Sequence, residues 1–452
     1  MKIMMQRLQM VMVVAVVMMT AACSSDEPMG GAQDGSDAIM LDVSGVAAPV
    51  TRAAAQVPGS MNFTTLKATG FGVYGYKGAY NSSTSEPTLF DGGANTHVTF
   101  ETGGTDPTTS LDIPGSWKYT GSVSGLKEWE TGEKYTFFAY APYMEEGGSA
   151  PGITSVSTAA GDPTIGYIVA TDPSQSVDLL WGVRTDTKAT SGLPWIDVVR
   201  GSTYSAVLFT FYHALCAIGL HAQVIVNQDN QLSDLTDESN LGTVGSADGC
   251  KVTLKSVTIA PKTGGTDFHK SGTLNLNNTT AHQPRWDTGG AATIASFAVS
   301  GSQINSKLAE PKPEDFDEVN PSNYNVMTDA EYDDEVPGVT ESANTQTVIA
   351  GDNVFMLIPQ AKQDYTVTVD YFLTYKTTSG YHREAHTGTA TINDLTLSAG
   401  VKYYLNLVFG LTTFKLTVDA VDWDEHTINT TIATETGTSA SQSLTRRVGE
   451  RF

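Results

Sequence analysis

Apolar residues recur at every second position through much of this chain. In Tyr365–Tyr375 one row reads Tyr365, Val367, Val369, Tyr371, Leu373 and Tyr375, against Thr366, Thr368, Asp370 and Thr374, broken only by Phe372. Ile218, Leu220, Ala222, Val224 and Val226 alternate with Gly219, His221 and Gln223. The same pattern runs through Phe414–Ala420, Tyr403–Phe409 and Tyr135–Ala141. A period of two puts alternate side chains on opposite faces of an extended strand. One apolar and one polar face mark antiparallel sheets packed on a core, so the pattern predicts an all-β chain of sandwich type. Few segments show the 3.6-residue period of a helix.

Stretches rich in Gly, Ser, Pro and Asp separate these segments, at 78–95, 101–116, 144–163, 184–194, 227–248 and 261–291. Arg184–Pro194 reads as a domain boundary, giving one domain over 53–190 and another over 195–452. Within the second, the acidic, Pro-containing stretch 310–346 lacks periodicity and is expected to be a long loop. Residues 424–452 read as a C-terminal tail.

The first 53 residues follow another pattern. Lys2 and Arg7 precede an apolar run from Met10 to Met19, then Thr20-Ala21-Ala22-Cys23, which reads as a signal peptide over 1–22. The run is shorter than the ~20 apolar residues that span a bilayer. Cys23 is expected to become a lipidated N-terminus, although Thr20 stands where such signals usually have Leu. The following Ser24-Ser25-Asp26-Glu27 resembles the surface-export signal of Bacteroidia-type lipoproteins, which implies the outer face of the outer membrane, reached only through the lipid on Cys23. Residues 23–52 then form a leader. It ends at Thr51-Arg52-Ala53, with Arg52 the only arginine since Arg7. An exposed, extended leader is a preferred site of nicking, so a cut between Arg52 and Ala53 is expected.

The net charge is −23, and beyond residue 52 there remain 23 basic against 44 acidic groups. That balance argues against nucleic acid, whose affinity rests on neutralised phosphates, and favours solubility. Besides Cys23 there are Cys216 and Cys250. Export permits a bridge between them, and spacing leaves open a disulfide or two free thiols.

Chemistry-bearing motifs are sparse. There is no Gly-x-Ser-x-Gly elbow, phosphate-binding glycine loop or His-Glu-x-x-His helix. On a strand His382, Glu384 and His386 share a face but splay about 6–7 Å apart, which suits a solvated face better than a metal. The acidic stretch 310–346 lacks the calcium-loop spacing with its central Gly. Trp117, Trp129, Trp195 and Trp286 offer either sugar-stacking surfaces or packing. His213 has no serine or carboxylate placed beside it in sequence, and a structural role is expected. No catalytic, cofactor-binding or metal-binding residue is therefore assigned, and a non-enzymatic protein is expected.

Several short segments, taken in order, resemble the Bacteroidia-type fimbrillin family, the subunits of type V pili. They are Tyr135–Pro142, Asp178–Gly182, Phe209–Leu215, Phe355–Gln360, Ala399–Leu405 and Val421-Asp422-Trp423, together with the lipoprotein leader and Thr51-Arg52-Ala53. The resemblance implies two tandem transthyretin-like antiparallel β-sandwich domains. It also implies maturation by an Arg-directed protease and removal of a first strand. Other copies or other pilin subunits would fill the vacated groove by strand addition. Ile39-Met40-Leu41-Asp42-Val43 is a candidate for the removable strand, and the tail after Trp423 for the donor. Such a protein would sit in a surface fimbrium and contribute to adhesion, through a host or bacterial surface ligand. The alternative from the same residues is a surface glycan-binding lipoprotein that keeps its tether.

Overall fold

A computed structural model describes residues 37–46, 58–91, 93–105, 112–113, 115–119, 126–185, 191–200, 206–224, 250–305, 308, 346–377, 380–409, 414–423, 427–428 and 434–435. Among these the architecture is all-β, with one α-helix and a few short 3-10 turns. The first half contains β1 (Met40–Val46), α1 (Phe63–Thr69), β2 (Phe71–Lys77), β3 (Thr96–Glu101), β4 (Ser116–Tyr119) and β5 (Lys134–Ala141). It continues with β6 (Ile153–Val156), β7 (Thr164–Ile168), β8 (Leu180–Arg184), β9 (Trp195–Val199) and β10 (Ala206–His213). Eight strands form one sheet in the order β1-β10-β8-β5-β2-β3-β4, with β9 against β5. The helix is started by Asn62, whose side chain accepts from the Thr65 amide at 2.9 Å while the Thr65 hydroxyl accepts from the Asn62 amide at 2.6 Å.

The middle of this sheet is buried on both faces. Phe137 and Ala139 join Phe71, Val73, Phe209 and Phe211 in one core, while Phe138 and Tyr140 join Tyr74, Tyr76 and Trp181 in the other. The segment Tyr135–Ala141 is thus apolar on both sides, as expected of a central strand covered twice.

The second half contains β11 (Cys216–Val224), β12 (Cys250–Pro261), β13 (Ser271–Asn275), β14 (Arg285–Asp287), β15 (Phe297–Ser300), β16 (Gln346–Thr347) and β17 (Phe355–Leu357). Then come β18 (Gln360–Thr377), β19 (Gly380–Leu397), β20 (Val401–Phe409), β21 (Phe414–Asp422), β22 (Thr427–Ile428) and β23 (Thr434–Glu435). One sheet runs β16-β11-β20-β21-β22, with β17 on β11 and β23 on β21; another runs β15-β12-β18-β19. The apolar rows read from the sequence point inward here: Tyr365, Val367 and Val369, then Leu405 and Leu407, then Leu416 and Val418, are all buried.

Three features depart from the sequence reading. Two pairings are parallel, β1 with β10 and β11 with β20. Strands β9 and β10 pair within the first sheet, so the passage to the next sheet falls at Ala214–Leu215 rather than at Arg184–Pro194. Finally, a four-stranded sheet β14-β13-β7-β6 crosses between the halves. Cys216 is a free, buried thiol that donates to the Leu357 carbonyl at 3.4 Å, and burial pushes it up to about 12.

Candidate functional site

The candidate site is the seat of β1, which lies on the N-terminal side of Arg52. The alternation Ile39, Leu41, Val43 places three aliphatic side chains on one face. All are buried, at 0, 3 and 6% exposure, and Val46 follows at 5% after a register shift between Val43 and Gly45. Within the shift Ser44 Oγ donates to the Phe209 carbonyl at 3.2 Å and lies 2.6 Å from Thr210 Oγ1. The seat is aromatic and aliphatic: Val207, Phe209 and Phe211 from β10, Phe71 and Val73 from β2, Leu66 from α1, and Trp117, Trp129 and Trp195.

The backbone of β1 is held along β10, from Met40 opposite Ala206 to Val46 opposite Phe211. Just before β1, residues 37–39 bond a second segment. The Ile39 amide donates to the Lys127 carbonyl at 2.6 Å and the Trp129 amide to the Asp37 carbonyl at 2.7 Å. Tyr119 donates its hydroxyl to the Ile39 carbonyl at 3.3 Å. Asp37 is ion-paired with Arg200. Asp42 is held above the ordinary carboxylate range, because burial disfavours its charge more than the Val43 amide and Lys67 favour it.

Residues 59–61, downstream of Arg52, enter a polar junction. Asp178 accepts from the Met61 amide at 3.0 Å and from His213 Nδ1 at 2.7 Å, and its own amide donates to Gly59 at 3.1 Å. The His213 ring stacks on Trp423 at 4.5 Å, and Trp423 Nε1 donates to Ser60 Oγ at 2.8 Å. The partner of His213 was invisible locally because it lies 35 residues earlier. Within this junction the segment downstream of Arg52 meets the last residue before the C-terminal tail. The described parts of the tail, β22 and β23, pair antiparallel with β21 of the same chain.

Of the sequence-assigned positions, Cys23, Arg52 and Ala53 lie outside the described residues, as does most of 310–346. Trp117, Trp129 and Trp195 are buried, and Trp286 is spent on the Ala214 carbonyl at 2.9 Å. These tryptophans pack and do not form an exposed stacking platform. Among the described residues no three His, Cys, Asp or Glu side chains gather to hold a metal ion. His386 stacks on Tyr371 at 5.4 Å.

No family model matches the chain, and no curated protein matches it. Among solved structures, a fimbrial protein from Bacteroides vulgatus ATCC 8482 superposes with a TM-score of 0.55 at 20% identity, covering 89% of this chain and 99% of that one. The fimbrial anchor protein Mfa2 from Porphyromonas gingivalis matches far more loosely, with a TM-score of 0.28 at 9% identity over 86% of this chain and 99% of that one. The resemblance read from the sequence therefore holds for the all-β fold: this chain has the fold of a Bacteroides fimbrial protein.

Proposed function

We propose that the chain is a structural subunit of a surface fimbria. In this reading it is exported as a lipoprotein precursor, cut after Arg52, and assembled by strand exchange into the seat of β1. The observation that carries it is that β1 precedes Arg52 yet supplies a whole strand to the first sheet. A cut between β1 and α1 turns that strand into a separate peptide, held only by non-covalent contacts.

The magnitudes favour refilling over an empty seat. Fully burying an aliphatic side chain contributes about 1.5–3 kcal/mol, so four contribute roughly 6–12 kcal/mol, comparable with the whole stability of a typical domain. The vacated edge would also leave the β10 backbone groups unpaired, which is costly away from water. A strand from another subunit restores both. The fold shared with a fimbrial protein supports the same reading, and fimbrial and adhesive roles belong together at the cell surface.

The test is the N-terminus of surface-sheared material. A start at Ala53 in polymers is expected. A monomer still beginning at lipidated Cys23 would instead favour an anchor or the glycan-binding alternative, for which the buried tryptophans offer no platform.

A further inference from the structure

The inward row of the leader strand, followed back from Val43 through Leu41 and Ile39, reaches Asp37. At that end the seat stays mostly apolar, with one charged residue, Arg200. Beside the start of β10 lies a pocket lined by Trp129, Trp195, Val198, Val199, Ala206 and Val207, and by Arg200. Ala206 and Val207 are the partners of Met40 and Leu41, and the Trp129 amide is bonded to Asp37. The pocket thus continues the groove by one step. Apolar surface remains open in its lining: Val199 is 48% exposed. The leader meets this end with a carboxylate, which turns to Arg200.

On the strand-exchange reading, we propose that this pocket is an additional seat for an apolar side chain of the incoming strand of another subunit, a seat the leader leaves unused. The incoming strand would present that side chain where the leader has Asp37. Two consequences follow. The leader is a weaker occupant than the groove permits, and the mismatch lies at one end. An incoming strand can therefore engage the free seat while the leader still holds the rest, then displace it residue by residue along β10. An apolar side chain there removes area from water, whereas the exposed ion pair it replaces is worth little.

The experiment uses the full chain cut at Arg52, and labelled synthetic peptides of residues 35–46 carrying Asp37 or the D37L change. The D37L peptide is expected to bind roughly tenfold more tightly, the factor that about 1.4 kcal/mol corresponds to. In the cut chain, D37L in the leader should slow its loss by a similar factor. Val199→Asp, which puts a charge in the lining of the seat but outside the β1 ladder, should slow assembly while leaving leader retention unchanged. Ile168→Asp, on an exposed apolar residue of β7, should change neither. Equal or weaker binding of the D37L peptide, or wild-type assembly rates in Val199→Asp, overturns the extra seat and leaves strand exchange standing. A wild-type cut chain that binds neither peptide, keeps its leader and stays monomeric overturns the strand-exchange reading and this inference with it.

Discussion

At the scale of single residues, Asp42 makes the hold of the leader depend on pH. Its carboxyl takes a proton more readily in the sheet than in a released peptide, because burial penalises the charge. Falling pH therefore favours the seated strand, in the window between the ordinary value of 3.8 and the raised one. Leader loss from the cut chain is expected to slow in that window, by at most about tenfold per pH unit for one proton. Asp42→Asn should flatten the profile; a profile unchanged by that substitution would assign it to another group. Arg52→Ala should block maturation, read as the absence of an Ala53 start by N-terminal sequencing. An Ala53 start in the variant would show that the cut does not need the arginine. Residue roles were legible where neighbours in sequence set them. The Ile39-Leu41-Val43 row could be read directly, whereas the Asp178–His213 pair and the burial of Trp117, Trp129 and Trp195 depend on folds of the chain that join distant segments.

At the scale of elements, β1 should behave as a unit that stabilises only while it is attached or seated. Leu41→Ala is expected to cost the uncut precursor about 2–5 kcal/mol, the range for a buried Leu truncation, seen as a lower denaturant midpoint. The cut, leader-free subunit should be unaffected by the same change. Equal losses in both would mean that β1 stays in place after cutting. Replacing 310–346 by a short Gly/Ser linker should leave the thermal midpoint nearly unchanged, since loop closure changes by only about 0.6 kcal/mol per doubling of length. Most strands were legible, because a sheet with one face on a core keeps a period of two; Tyr135–Ala141, buried on both faces, is the exception. Which strands pair was not. The β1–β10 ladder joins residues 40–46 to 206–211, and no local pattern encodes a partner so distant or a parallel direction. Pairings across Arg184–Pro194 were equally hidden: the stretch reads as a linker, yet β9 pairs with β5 and β10 with β8.

At the scale of the whole molecule, the cut subunit should form polymers and the uncut one should remain monomeric, as measured by size-exclusion chromatography. Deleting residues after Trp423 should abolish polymers without unfolding the subunit, provided that the tail is the donor. Polymers from the truncated chain would place the donor elsewhere. The described parts of the tail, 427–428 and 434–435, pair with β21 of the same chain, so donation requires them to leave that edge. The sheet shared by the two halves adds a mechanical consequence. Domains joined by one linker usually move against each other, but here β13 and β7 are bonded through five registered residues, from Ser271 opposite Ile168 to Asn275 opposite Thr164. Tension along a filament of such subunits would have to break this ladder, not only extend a linker, to part the halves. The two halves would then resist tension as one body, and compliance under flow would concentrate at the joints between subunits.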